Sequence, residues 1–163
     1  MANVKKSVTT VRFARTKDIP GLLELDLDHG EGIWTKEELD RAVNNDQATV
    51  VLVAVHDRKI VGMLVYEIEK NHFSVVYLAV VNNHLALFGN RLIMEMLTDF
   101  RLMQMGKVVW YVRETDLDFQ LYLRDQFRFR CTRVVRGWFR DFNPGEGVVA
   151  EDAYKFKYKK ESA

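Results

Sequence analysis

The chain has 163 residues, of which 48% are hydrophobic and 12% aromatic, a size and composition that allow one globular domain with a substantial core. Its 24 Lys and Arg residues nearly balance its 23 Asp and Glu residues, and the net charge of +1 gives no long-range field that would attract nucleic acid or an anionic membrane. The lone Cys131 excludes an intrachain disulfide and a cysteine-based metal cluster, and it favours a reducing, cytoplasmic location.

The sequence contains no low-complexity tract, repeat or linker, so we predict a single domain over residues 1–163 with its core at about 10–158. The N-terminal stretch is polar and carries lysines. No segment approaches the roughly 18 consecutive apolar residues that a membrane-spanning helix needs. We therefore expect a soluble protein that is not processed at its N-terminus.

The first third of the chain predicts a strand followed by two helices. Residues 11–14 are typical of a short strand, and Thr16 is expected to cap the helix that follows, with Gly30 ending it. Thr35 and Glu38 have the spacing of a capping box, in which each residue's side chain bonds the other's backbone N–H. A second helix should therefore begin at this pair.

The middle of the chain is rich in β-branched residues and predicts a three-stranded antiparallel meander with a hairpin at residues 56–59. Its strands are expected at residues 48–55, 60–66 and 73–81.

The remaining third alternates helix and strand signals. The longest predicted helix covers residues 89–105, and Gly106 is its expected C-terminal stop. A strand at 108–112, a helix at 117–124 and strands at 129–139 and 150–158 follow. The complete order, β-α-α-β-β-β-α-β-α-β-β, predicts an α+β fold with mixed α/β layers.

Several local strings, in this order and at these spacings, resemble the GNAT acetyltransferases, and most closely the protein N-terminal acetyltransferases of the ribosomal-protein alanine type. The resemblance covers about residues 10–158. It implies a central, mostly antiparallel twisted sheet of six or seven strands flanked by about four helices. The matching strings are residues 11–20, 34–39, 60–64, 78–80, 121–127, 136–139 and 151–153.

The resemblance implies an acetyl-CoA site where the central strand meets the long helix. Family members carry a loop of the form Arg/Gln-x-x-Gly-x-Gly/Ala there, and a helix N-terminus with close-approaching glycines attracts phosphate. In this chain Leu85, Phe88 and Asn90 occupy those three positions. Two other readings stay open: a one-residue shift that brings Gly89 to the bend and Arg91 to the second small position, or an ordinary connection that binds nothing.

The same resemblance assigns the remaining cofactor contacts and the proton transfers. Tyr122 matches the tyrosine that protonates the departing thiolate, and Tyr111 stands near the position of the family's glutamate base. Glu114 is the nearby carboxylate that could replace that base, and His84 is a further candidate. The pantetheine arm would be held by main-chain groups of Leu78, Ala79 and Val80 and by Asp116.

Three aromatic residues match positions that line the acceptor slot in N-terminal acetyltransferases: Trp34, Trp138 and Phe139. The predicted reaction is acetyl transfer from acetyl-CoA to a primary amine, with a protein N-terminus as a candidate acceptor, by direct attack and without a metal or a covalent intermediate. The alternative is a GNAT-fold binding or regulatory protein that has lost coenzyme A. A third reading is a structural module that forms a homodimer through its C-terminal strands.

Overall fold

The computed structural model describes residues 7–160, and its elements follow the predicted order. The strands and α-helices are β1 (Thr9–Phe13), α1 (Ile19–His29), α2 (Lys36–Asp40), β2 (Thr49–His56), β3 (Lys59–Ile68), β4 (His72–Val80), α3 (Asn90–Leu102), β5 (Lys107–Arg113), α4 (Leu117–Phe127), β6 (Arg130–Asn143) and β7 (Gly147–Lys159).

Within the described residues, all seven strands belong to one sheet, in the order β1-β2-β3-β4-β5-β7-β6. The pairs β1–β2, β2–β3, β5–β7 and β6–β7 are antiparallel. Strands β4 and β5 are parallel, and their ladder joins His72–Val75 to Lys107–Trp110. The predicted α+β class and mostly antiparallel sheet are therefore confirmed.

The chain forms two compact units. The N-terminal unit comprises the residues up to Glu69 together with Val76–Gln104, and the C-terminal unit comprises Lys70–Val75 together with the residues from Met105 onward. Strand β4 contributes to both. A single domain over residues 1–163 stays a prediction.

The core of the N-terminal unit forms because α1 and α2 each turn an apolar face toward strands β2 to β4. Gly62 of β3 allows α3 to pack closely: a Cβ added there would lie 2.9 Å from the Leu92 side chain and 3.5 Å from the Ala79 carbonyl oxygen. The buried residues of the cluster beneath α1 and α2 are Ile19, Leu22, Leu25, Leu39, Ala42, Val51, Val53, Met63, Val65, Tyr77 and Ala79.

In the C-terminal unit, α4 packs on β5 through aromatic rings. The Trp110 centroid lies 5.1 Å from that of Phe119 and 6.0 Å from that of Phe129, both in edge-on geometry. These contacts bury one face of the β5–β7 sheet beneath α4.

Two predicted helix boundaries were wrong. Thr16 does not cap α1. Instead a short 3₁₀ turn, Thr16–Asp18, precedes the helix, and the Asp18 carboxylate accepts hydrogen bonds from the backbone N–H of Arg15 and from the Arg12 guanidinium. Helix α3 ends at Leu102 rather than at Gly106, because Gln104 already adopts the left-handed conformation (φ +55°) that stops a helix.

Candidate active site

The connection after β4 turns sharply before it becomes helical. Asn82 and Asn83 both have positive φ, a conformation that asparagine tolerates better than most residues. The backbone N–H of Asn82 donates to Nδ1 of His29 at the end of α1, 3.2 Å away. A π-helical turn, Leu85–Gly89, then runs directly into α3.

This helical turn moves the start of the long helix from the predicted residue 89 to Leu85. The backbone N–H of Phe88 donates to the His84 carbonyl at 2.9 Å, and that of Asn90 donates to the Leu85 carbonyl. Two of the amides at the positions that the resemblance assigns to the pyrophosphate therefore already have intrahelical partners.

Phe88 is directed into the N-terminal unit and is only 5% exposed. Its ring centroid lies 5.6 Å from that of His56 on β2 and 6.3 Å from that of His84. Gly89 is buried beside it in ordinary helical geometry (φ −63°, ψ −43°). The residue that replaces the family's glycine thus contributes to the core.

The other cofactor candidates of this unit lie around the same connection. Leu85 is half-buried, and the exposed Arg91 donates from its guanidinium to the Thr9 carbonyl at 2.8 Å, which directs its charge toward β1. Leu78, Ala79 and Val80 lie beyond Val75, the last β4 residue in the ladder with β5.

A buried carboxylate organises the loop between α1 and α2. Asp26 is 1% exposed and accepts hydrogen bonds from the backbone N–H groups of Gly32 (3.1 Å) and Trp34 (2.9 Å) and from the Tyr77 hydroxyl. The Tyr77 oxygen in turn accepts from the backbone N–H of Glu31 at 2.9 Å. Burial, followed by the hydrogen bond to Asp26, raises the pKa of Tyr77, so the phenol stays protonated at neutral pH.

This network positions Trp34, the predicted wall of the acceptor slot. The Trp34 ring meets the Tyr77 ring edge-on with centroids 5.8 Å apart. Its indole Nε1 is buried and has no hydrogen-bond partner among residues 7–160. Trp34 also lines a shallow open pocket of about 180 Å³ together with Glu38, Arg41, Ala42, Asp46, Thr49, Val65, Glu67 and Val76.

In the C-terminal unit, Tyr122 is half-buried on α4 between the rings of Phe119 (centroids 5.8 Å apart) and Phe127 (5.6 Å). Burial raises its pKa. The phenol is therefore protonated at neutral pH and is a weaker acid than a free tyrosine; its role as the proton donor stays a prediction.

Glu114 and Asp116 lie in the exposed turn between β5 and α4. Asp116 is the N-cap of α4, where its carboxylate accepts from the Phe119 backbone N–H at 3.2 Å. The backbone N–H of Glu114 donates to the Asp152 carbonyl, and its own carbonyl accepts from the Gln120 side chain. These contacts fix the turn, and the roles of both carboxylates in catalysis stay predictions.

The aromatic candidates on β6 contact side chains of β5. Trp138 is half-exposed and stacks on Tyr111 with centroids 4.0 Å apart and planes inclined by 14°. The Arg113 guanidinium lies 4.3 Å from the centroid of the Phe139 ring and also pairs with Glu151. Tyr111, at the position of the family's base, is thus an aromatic contact.

Asp26 and Tyr77 were not predicted from the sequence as site residues, although one feature of the sequence pointed to Asp26. It follows Leu22 by four residues and so falls on the apolar stripe of α1, where a carboxylate needs buried hydrogen-bond donors. Tyr77 gave no comparable signal, since a tyrosine is common on the inner face of a strand.

Within the described part of the chain, no group of three His, Cys, Asp or Glu side chains could hold a metal ion. The helices between residues 7 and 160 are too short or too polar to cross a membrane.

No protein-family profile and no curated protein sequence matches the chain. Its structure, however, is similar to many solved structures. The ribosomal-protein-S18-alanine N-acetyltransferase from Escherichia coli superposes with a TM-score of 0.77 at 12% identity, over 96% of each chain. NAA60 from Arabidopsis thaliana, in complex with a bisubstrate analogue, gives 0.76 at 17% identity over 93% of this chain and 98% of that one. The PaiA N-acetyltransferase from Thermoplasma acidophilum, in complex with coenzyme A, gives 0.68 at 16% identity over 94% and 99%.

The chain has the GNAT acetyltransferase fold. The predicted GNAT architecture is therefore confirmed. The low identities mean that the shared property is the fold, and function has to be argued from the residues of the site.

Proposed function

We propose that the protein is an acetyl-CoA-dependent N-acetyltransferase that acts on a primary amine. The observation that supports this most is a helix N-terminus, beginning at Leu85, that follows β4 after a short turn in a GNAT fold. Such a terminus presents main-chain donors and a partial positive charge, which attract phosphate.

The main chain fits coenzyme A better than the side chains do. Leu78, Ala79 and Val80 lie outside the β4–β5 ladder, which supports their assignment to the pantetheine arm. Leu85 supplies no donor, and the Arg91 guanidinium is bonded to Thr9. We therefore expect Phe88, Gly89, Asn90 and Arg91 to line the phosphate site without adding side-chain donors to it. Acetyl-CoA should bind more weakly than it does to an enzyme with the family's loop.

When bound, acetyl-CoA supplies the activated acetyl group. Tyr122 Oη carries a proton at neutral pH and is the hydrogen-bond donor that we assign to the departing sulfur. Glu114 is assigned to accept the proton from the incoming amine, and Asp116 to the pantetheine arm. Trp34, Trp138 and Phe139 are assigned to the acceptor, because aromatic walls suit a short peptide.

A protein N-terminus is the acceptor that we favour. The ordered loop from Gly30 to Trp34 supports this choice, because its backbone is held by Asp26 and Tyr77 rather than left to the solvent. The exposed free thiol of Cys131 suits a reducing cytoplasm, and edge strand β6 offers a surface for a homodimer.

A second candidate function is a GNAT-fold binding or regulatory protein that has lost coenzyme A. The burial of Phe88 and the intrahelical bonding of its amide favour this alternative, because both replace features that a phosphate would use.

Two measurements separate the enzyme from the binding protein. Titration calorimetry measures acetyl-CoA binding, and an assay for the free thiol of coenzyme A measures turnover with a peptide that begins with alanine. For the enzyme we expect saturable binding and turnover, with the kcat of Tyr122→Phe reduced about 10- to 100-fold. Tyr154→Phe, which removes a phenol from β7 of the same unit, is the control and should retain activity. No heat change at millimolar acetyl-CoA would leave only the binding protein.

A further inference from the structure

One face of the sheet in the C-terminal unit carries six basic side chains, here called the basic face: Lys107, Arg130, Arg133, Lys155, Lys157 and Lys159. Lys107 lies directly opposite Lys159 in the β5–β7 ladder, and Arg133 lies directly opposite Lys155 in the β6–β7 ladder. Alternate residues of a strand point to the same side, so the three β7 lysines share this face with their partners.

The basic face is the side of the sheet that α4 leaves uncovered. Trp110 of β5 packs against Phe119 of α4, and Phe156 lies opposite Trp110 in the ladder. Those apolar residues alternate along the strands with the basic ones, which places the lysines on the other side. The positive charges therefore face outward.

The charges repel one another. Like charges directly opposite on paired strands destabilise a sheet, and this sheet has three such pairs, because Arg130 also lies opposite Lys157 in the β6–β7 ladder. Burial lowers the pKa of Lys157, and the charges of Lys155, Lys107, Lys159 and Arg133 lower it further. Among residues 7–160 no carboxylate forms an ion pair with any of the six, whereas nearby Arg113 is paired with Asp141 and Glu151.

We propose that the basic face binds an acidic peptide segment in extended conformation. The lysines at positions 155, 157 and 159 repeat at about 7 Å, the spacing of alternate side chains on an extended chain. Acidic residues at every second position of a peptide would each meet a lysine. An anionic partner would also relieve the repulsion that the folded chain leaves uncompensated.

The aromatic residues beside the basic face favour a peptide over single-stranded nucleic acid. Nucleic-acid platforms combine positive charge with open aromatic faces on which bases stack. Here the Tyr111 ring is covered by Trp138, with centroids 4.0 Å apart, and the Lys155 ammonium lies 5.6 Å from the Tyr111 centroid. The Tyr111 ring therefore has little surface left for a base, and the half-exposed Trp138 offers one open ring rather than the several on which successive bases stack.

The proposal does not depend on acetyl transfer, since none of the six residues is assigned to the acetyl-CoA or acceptor sites. The test uses a fluorescently labelled peptide of alternating Glu and Ser whose N-terminus is already acetylated, so that it cannot be an acceptor. We expect saturable binding by fluorescence anisotropy that weakens as salt is raised. A peptide of alternating Lys and Ser should not bind.

Charge reversal locates the site. Lys155→Glu/Lys157→Glu should raise the Kd for the acidic peptide about tenfold or more, and Lys155→Gln/Lys157→Gln should raise it less. Lys17→Glu/Lys36→Glu, which makes the same change in net charge at exposed sites of the N-terminal unit, is the matched control. Three results would each overturn the proposal: an equal loss of affinity in this control, no binding of the acidic peptide to the wild type at low salt, or tighter binding of a deoxythymidine oligonucleotide than of the peptide.

The reversal should not unfold the protein, because it replaces repulsion with attraction. Lys157→Glu should raise the Tm by about 1 to 3 °C at low salt, and the gain should vanish at high salt. A lowered Tm at low salt would contradict the arrangement of charges on which the proposal depends.

Discussion

Two connections of the N-terminal unit are held in place by different forces. The loop from Gly30 to Trp34 is fixed by polar contacts, since Asp26 accepts from two of its backbone N–H groups and Tyr77 accepts from a third. The connection from Val81 to Gly89 is fixed by burial of Phe88 and by helical main-chain bonds.

The difference leads to a hypothesis about which half of the proposed site retains features that a ligand would need. Hydrogen bonds to a buried carboxylate fix a loop's geometry while its outer surface stays available for an acceptor. At the second connection, burial of Phe88 stabilises the fold. The Phe88 side chain and the amides that a phosphate would contact are then already engaged within the protein. We infer that the acceptor side is the better preserved, and three substitutions test this comparison.

Phe88→Gly should have the largest effect. It removes a ring that is 95% buried and adds a glycine within a helix, so we expect a loss of about 4 kcal/mol in the free energy of unfolding, measured with urea. Leu87→Gly is the matched control: Leu87 lies in the same turn but is 55% exposed, and its loss should be about 1 kcal/mol.

A different result is expected if the Phe88 ring blocks the phosphate site, because glycine at this position would then restore affinity for acetyl-CoA. A small stability loss together with tighter acetyl-CoA binding in Phe88→Gly would support that reading. It would also show that the ring belongs to the site rather than to the core.

Asp26→Asn should have the second largest effect. The amide that replaces one carboxylate oxygen cannot accept, which leaves at least one buried donor unpaired, and we expect a loss of about 2 to 3 kcal/mol. Hydrogen exchange at the Gly32 and Trp34 amides should accelerate, whereas that at Phe88 should change only with the global stability. Asp28→Asn, an exposed change on the same helix, should do neither.

Equal acceleration at all three amides would mean that Asp26 supports the whole unit rather than one loop. The two connections would then not be independent, and the comparison between them would fail.

Local signals account for most of what the sequence predicted correctly. The capping box of Thr35 and Glu38 forms as expected, with the Glu38 backbone N–H donating to the Thr35 hydroxyl at 3.2 Å and the Thr35 backbone N–H donating to the Glu38 carboxylate at 2.9 Å. The hairpin at residues 56–59 forms with Asp57 and Arg58 both in the positive-φ conformation that a tight two-residue turn needs. Such contacts span three or four residues and are visible in a linear pattern.

The candidate site was harder to predict because its contacts join distant residues. Tyr77 and Asp26 are 51 positions apart, and no periodicity links them. The direction of the Phe88 ring depended on where helix α3 begins, and a π-helical turn placed that start four residues earlier than the helical pattern indicated. The resemblance to the GNAT family located the connection, but only the fold showed which way its side chains point.

Tyr77→Phe should have the smallest effect and is the sharpest test of the acceptor loop. The ring that meets Trp34 is retained, and only the hydroxyl between Asp26 and the Glu31 N–H is lost, so we expect about 1 kcal/mol of destabilisation at neutral pH. If the loop positions the acceptor, KM for the peptide should rise with little change in kcat. Tyr66→Phe is the control, because it removes a similar hydrogen bond to Asp99 on α3, far in sequence from this loop, and should leave KM unchanged.

The pH dependence of Tyr77→Phe gives an independent check. Burial raises the folded-state pKa of Tyr77 above the value of about 10 in the unfolded chain, so the stability that its neutral phenol contributes is fully present below pH 10. It is lost as the pH rises above 10 toward the folded-state value, because the unfolded state releases the proton first. The stability difference between wild type and Tyr77→Phe should therefore shrink above about pH 10, as measured by urea unfolding; a constant difference would show that the hydroxyl is not buried against Asp26.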